Sequence, residues 1–143
     1  MPYSALSDIT AVFPLASVVQ LTDGSGSTPD AAKVTAAITS ADALIDGFLR
    51  SRYTLPLAST PPMLIDISVN LAICNLHGLK FAADLPEAIT KKEKAQIDLL
   101  LKIQKGVISL GIEDVAQPAT AAGIKTNKTA EDRVFSKDKL SQW

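Results

Sequence analysis

The sequence predicts an all-α domain: a small bundle of three to four helices that continues into an extended C-terminal arm. Three observations carry this. Apolar residues fill 47% of the 143 positions but aromatics only 5%, so the core must be built from Leu, Ile, Val and Ala. Alanine is abundant and the Val/Thr/Tyr alternation of strands is scarce. Three segments repeat apolar residues at spacings of three and four. A chain of this length is expected to hold one core.

The first element is a short helix within residues 4–13, "SALSDITAVF", with Ser4 or Ser7 as N-cap and Pro14 as its stop. "LTDGSGSTPD" then reads as a loop, because Asp-Gly, Ser-Gly and Thr-Pro fall within ten residues. Thr28 suits the next N-cap and Pro29 the first helical position, where a missing N–H costs nothing.

A long helix is predicted from about Pro29 to Tyr53. Val34, Ile38, Ala41, Ile45 and Phe48 form its stripe, widened by Leu44 and Leu49, with Asp42 and Asp46 on the other side. Pro56, Pro61 and Pro62 forbid continuation. The next helix runs from near Pro62 to roughly Ala82. Leu64, Ile67, Leu71 and Cys74 share a face, and Ile65, Val69, Ala72, Ile73 and Leu76 cover much of the rest. A helix apolar around most of its circumference is central. Asp66, Asn70, Asn75, His77 and Lys80 interrupt it, which predicts a buried helix rather than a membrane span.

The last helix begins near Pro86, with Asp84 as a candidate cap, and reaches about Lys105. Its first half, "TKKEKAQ", is polar; Ile97, Leu100, Leu101 and Ile103 give the second half an apolar stripe. Gly106 is a helix stop. "VISLGIE" reads as a short strand, a turn or a docked extended segment. These elements make a helical domain over 1–114. From 115 to 143 the chain has no sustained period and too little apolar surface to offset the entropy of ordering alone. Yet it closes on Val134, Phe135, Leu140 and Trp143. Either these are chance hydrophobes on a frayed end, or the arm orders when its aromatic residues enter pockets on a neighbour.

Net charge is −1, which gives no global attraction to nucleic acid. The charge is unevenly spread. Residues 1–50 carry Asp8, Asp23, Asp30, Asp42 and Asp46 against Lys33 and Arg50; residues 116–143 carry Lys125, Lys128, Arg133, Lys137 and Lys139 against Glu131, Asp132 and Asp138. Such a distribution suits head-to-tail contact between copies. The N-terminal stretch has neither the basic region nor the apolar core of a signal peptide. Cys74 is the only cysteine, which rules out an intrachain disulfide and fits a reducing cytoplasm.

The sequence predicts no enzyme, no cofactor and no metal site. Cys74 and His77 lie three apart on a helix, but a thiol in an apolar setting is inert. Core packing for Cys74 and a helix-end or interface place for His77 are the better readings. "DGSGS" follows no strand and lacks the Lys-Ser/Thr ending of a phosphate loop. Asp42 and Asp46 stand one turn apart and could hold a cation, without His support. "KKEK" at 91–94 is interrupted by Glu93 and has no interleaved aromatics, so it reads as a solvated face.

The segment "GFLRSRYTLPLASTPP" remains. Arg50 and Arg52 complement the dipole at the end of a helix, and Tyr53 can pack on the prolines that follow. The plain reading is a capped helix and a rigid turn. The functional reading adds that the turn positions Arg50 or Arg52 for an ion pair across a subunit boundary.

These residues also carry a resemblance. "SDITAVFP…VVQLTD", "AITSADALIDGFLRSRYTLPL", "PPMLIDISVNLAICNL", "LLLKIQKGVISLGI" and "RVFSKDKLSQW" resemble, in this order, the small neck proteins of Mu-like tailed phages and prophages. That family is grouped with head–tail connector, or head-completion, proteins. The resemblance implies a structural subunit in a ring, expected to be twelve-fold, between portal and tail around the DNA channel. The implied partners are sister copies, the portal protein, a tail or further neck protein, and packaged DNA met without sequence-specific binding. No membrane is implied. The implied location is the virion neck, after assembly in the bacterial host cytoplasm. Interface candidates are Arg50, Arg52, Tyr53, Arg133, Phe135, Leu140 and Trp143. The other reading is a small intracellular helical regulator that binds protein or nucleic acid; it needs a cohesive basic or apolar face, and the sequence of 1–114 shows none.

Overall fold

The computed structural model describes residues 2–22, 26–81 and 85–112. Among them all regular structure is helical: α1 (Leu6–Val12), α2 (Leu15–Thr22), α3 (Ala31–Leu49), α4 (Pro62–Lys80) and α5 (Glu87–Gln104). The all-α expectation holds. The expected arm, 115–143, lies outside the described residues, as do Asp23 and Asp84.

One helix was not foreseen. Pro14 does stop α1, but its carbonyl then accepts from the N–H groups of Ser17 and Val18 and so opens α2. Val18, Val19, Leu21 and Thr22 are buried, the i, i+3, i+4 pattern of a core-facing stripe. Thr22 also ties the end of α2 to the start of α3. Its hydroxyl donates to the Val18 carbonyl at 2.8 Å and accepts from the Asp30 N–H at 3.1 Å, while Lys33 Nζ donates to its carbonyl at 2.6 Å.

The start of α3 also differs from the Thr28–Pro29 expectation. Asp30 is the N-cap, in extended backbone, and its carboxylate accepts from Ala32 N and Lys33 N at 2.9 and 3.3 Å. A carboxylate that satisfies two free N–H groups next to the positive end of the helix dipole outcompetes a hydroxyl two residues earlier. The helix ends at Leu49, four residues short of the expected Tyr53. Beyond it the Leu49 carbonyl accepts from both Arg52 N and Tyr53 N, closing a tight turn.

Helix α4 packs against each of the other four. It has the length and composition of a membrane span, with mean hydropathy 1.3 over an 18-residue window. Here nine of its residues are buried inside the bundle: Leu64, Ile67, Ser68, Val69, Leu71, Ala72, Ile73, Cys74 and Leu76. Each fully buried Leu or Ile contributes about 1.5–3 kcal/mol. α3 supplies Val34, Ala37, Ile38, Ala41, Ile45 and Leu49 to the same core, α5 supplies Leu100 and Ile103, and α1 supplies Ile9. Leu44, expected in the α3 stripe, is 38% exposed.

The end of α5 follows the Gly106 expectation in detail. Gly106 has φ +78°, its N–H donates to the Ile103 carbonyl at 3.0 Å, and Val107 N donates to the Lys102 carbonyl at 2.9 Å. This is the paired bonding of a Schellman stop. The chain then turns back as a docked segment without strand pairing, with Ile108, Leu110 and Ile112 against the core.

Gly106 makes a sharp test. A Cβ there would sit 2.5 Å from Arg52 Nη1 in addition to the left-handed strain, whereas at Gly111 (φ +72°) no atom lies within 4 Å. Gly111→Ala should cost about 1–2 kcal/mol in urea unfolding, and Gly106→Ala measurably more. Equal losses would mean that Arg52 does not press on that turn.

Candidate functional site

Two features of the fold bear on function: the corner at the end of α3, and a groove between the N-terminal segment and α3. The corner turns inward. Tyr53 is 2% exposed, and its hydroxyl accepts from Leu110 N at 3.3 Å. Arg52 is half-buried, its guanidinium 5.6 Å from the centre of the Tyr53 ring, and Nη1 donates to the Ile103 carbonyl at 3.2 Å. Arg52 therefore satisfies one of the last carbonyls of α5, not only the dipole of its own helix.

Two of the interface candidates have partners within their own chain. Tyr53 is a core residue of its own chain rather than a surface anchor. Arg52 is engaged within its own chain, joining α3 to α5. Arg50 is exposed and keeps its place as a surface candidate. Arg133, Phe135, Leu140 and Trp143 lie outside the described residues.

The groove is built from a polar network that the sequence did not disclose. Asp42 and Asp46 were expected on the solvent side of α3. Instead residues 2–5 fold back over them. Tyr3 N donates to Asp42 Oδ2 at 3.3 Å, and the Tyr3 hydroxyl donates to Asp46 Oδ1. Ser68, wholly buried in α4, donates to Asp42 Oδ1 at 2.9 Å and shares a 2.7 Å hydroxyl contact with Ser4. Ser68 was the available signal: a hydroxyl inside an apolar helix needs a partner. Partial burial pushes the Asp42 carboxyl above its ordinary range despite the Ser68 and Tyr3 bonds. Burial and the Asp46 carboxylate push the Tyr3 phenol up as well.

Between this segment and α3 lies a groove of about 620 Å³, lined by Leu6, Val34, Ile38 and Ala43 among others. The charged residues in its wall are Asp42 and Asp46. Asp46 also borders a second depression of about 350 Å³, between Tyr3 and the turn that holds Leu55, Pro56 and Leu57. The Leu55–Pro56 bond is cis.

No group of three or more His, Cys, Asp or Glu side chains is placed for a metal among the described residues. Asp42 and Asp46 are held by Tyr3 and Ser68. Cys74 is buried, with its Sγ 3.8 Å from the Ile89 carbonyl, and burial pushes its thiol up. His77 lies between rings, edge-on to Phe13 at 5.9 Å and stacked on Phe81 at 6.2 Å. Its Nδ1 is buried and has no hydrogen-bond partner among the described residues, and burial, aided by Lys92, pushes the imidazole down. Lys91, Lys92 and Lys94 are exposed, and Lys91 pairs with Glu87 at 2.7 Å, as a solvated helix face requires.

Arg52→Ala should lower stability by about 1.5–3 kcal/mol, because it removes a charged donor from a helix-end carbonyl. Arg50→Ala should stay within about 0.5 kcal/mol. Chemical denaturation of both variants checks this, and near-equal values would place Arg52 in solvent.

His77 sets a pH dependence. Its folded pKa lies below the unfolded value, so its contribution is intact above about pH 6.5 and is lost as pH falls through that value. Melting temperature should drop between pH 7 and 5.5, and His77→Leu should flatten that drop. Asp42 has the opposite sign and acts at lower pH, since its raised pKa favours the protonated folded state.

A sequence model of the family described as "Bacteriophage Mu, Gp36" matches residues 3–128, which spans every helix, the corner and the groove. Among curated proteins, none matches the sequence. The chain belongs to the bacteriophage Mu Gp36 family.

Proposed function

We propose that this protein is a structural adaptor of the phage neck: a subunit that assembles into a ring between portal and tail, around the DNA channel. Membership of the Mu Gp36 family carries the reading, because it makes the chain a phage protein of the structural or morphogenetic kind. The geometry suits it. The described residues form one helical body closed by Tyr53 and Arg52, so it can transmit load as a wedge. Large apolar side chains remain at its surface, among them Leu15 at 50%, Leu79 at 59% and Val107 at 72% exposed. Scattered singly such residues are ordinary, but a ring subunit needs two faces to meet its neighbours and two more for the partners above and below.

In this role the subunit performs no catalysis and needs no cofactor. The channel side requires only that DNA pass without sequence-specific contact. Twelve copies would match a twelve-fold portal. The protein would be made in the bacterial host and retained in the virion neck.

Negative-stain imaging of the purified protein with its portal tests the reading. Rings stacked on the portal are expected; no ring and no portal association across a range of salt concentrations would overturn it. Deleting residues 134–143 should leave the circular dichroism of the helices intact and weaken ring formation. Undiminished assembly by the deleted chain would show that those residues are not anchors.

A further inference from the structure

We propose that the groove between the N-terminal segment and α3 receives residues 133–143 of a neighbouring copy, with Phe135 and Trp143 as its anchors. The proposal deepens the adaptor reading and rests on it, since it names the contact that joins one subunit to the next. Four features of the molecule support it.

The first is size. At about 620 Å³ the groove lies inside the roughly 300–1,000 Å³ range of sites that enclose a bulky ligand. The second depression beside it shares Asp46, so two recesses stand next to each other for two aromatic anchors. The second is chemistry. Leu6, Val34, Ile38 and Ala43 provide an apolar wall, and the segment to be held carries Val134, Phe135, Leu140 and Trp143.

The third is charge. The charged groups in the groove wall are the carboxylates of Asp42 and Asp46. The segment 133–143 carries Arg133, Lys137 and Lys139 against Asp138, a net +2. Each carboxylate can accept about four hydrogen bonds. Among the described residues Asp42 accepts two, from Ser68 and Tyr3, so capacity remains for a cation at the rim. Opposite charges at the rim set orientation and speed encounter, while the aromatic anchors supply affinity.

The fourth is reach. Twenty-two residues, 113–134, separate the docked Ile112 from Phe135. Fully extended they span up to about 75 Å, several times the radius of gyration of about 13 Å for a domain of this size. A segment of one copy inserted in the groove of the next is a heterologous contact, and repetition of such a contact closes a ring when the rotation permits. The acidic groove and the basic segment would then alternate around that ring.

Trp143 is the only tryptophan, so its emission reports the contact in the full chain. On raising the concentration from micromolar to millimolar, the emission should shift to the blue together with a rise in mass by light scattering. Ala43→Arg and Thr39→Arg, both at exposed groove positions, place bulk and positive charge in the seat. Either should weaken association about thirtyfold or more, as loss of an anchor contact does, with unchanged circular dichroism. Mixing Ala43→Arg with Trp143→Ala should restore the blue shift, because one chain keeps its anchor and the other its seat. A blue-shifted emission that does not depend on concentration means that the segment fills its own chain's groove and overturns the proposal. So does a wild type with no shift at any concentration, a shift unaffected by both groove variants, or no restoration on mixing. Imaging the wild type with portal separates the two ideas. Rings on the portal without the tryptophan signal would sink the groove contact alone; the signal without portal association would sink the adaptor alone.

Discussion

The constraint on which the structure depends is the all-round apolar surface of α4. A helix with Leu64, Ile67, Val69, Leu71, Ile73 and Leu76 distributed about its axis needs cover over most of its circumference, although Met63 and Leu79 near its ends stay exposed. The remaining helices are arranged to cover it. α3 and α5 each offer one stripe, while the short α1 and α2 close the rest with Ile9, Val18 and Leu21. The turn at Pro14 and the Thr22 bonds exist so that two helices of seven and eight residues, too short to be stable alone, can be held against α4.

Covering α4 leaves the ends of α3 and α5 side by side, and the corner locks them there. Arg52 crosses from one to the other, Tyr53 fills the space beneath, and the Leu110 amide closes the cage by bonding to the phenol. Gly106 is required twice over, for its left-handed turn and for the room its missing Cβ leaves to the guanidinium. A residue set that looks like an exposed, charged helix end is thus an internal fastener. Exposed surface lies elsewhere: along α3 beside the acidic groove, and at Arg50.

Much of this was legible in the sequence because long periodic segments dictate their own form. The centrality of α4, the stripe of α3, the polar first half of α5 and the stop at Gly106 all follow from local spacing and residue type. The contacts at the corner and the groove that the sequence did not disclose share one trait: each joins residues far apart in the chain. Arg52 meets Ile103 across 51 positions, Ser4 meets Ser68 across 64, and Tyr3 meets Asp46 across 43. No local pattern shows that residues 2–5 fold over α3, so Asp42 and Asp46 read as solvated. α2 escaped notice because eight residues between a proline and a loop give barely two turns of period. The family, by contrast, was readable from the ordered series of short motifs, and a match over residues 3–128 bears it out.

Native-state hydrogen exchange on the isolated chain tests the central claim directly, namely that α4 and the corner form one cooperative unit. The account predicts that amides in the middle of α4, the Tyr53 amide at the corner and the Leu110 amide exchange with the same free energy, that of global unfolding. If the segment around Leu110 and the end of α5 opened at a much lower free energy than α4, the corner would be an ornament on the bundle and the account would be contradicted.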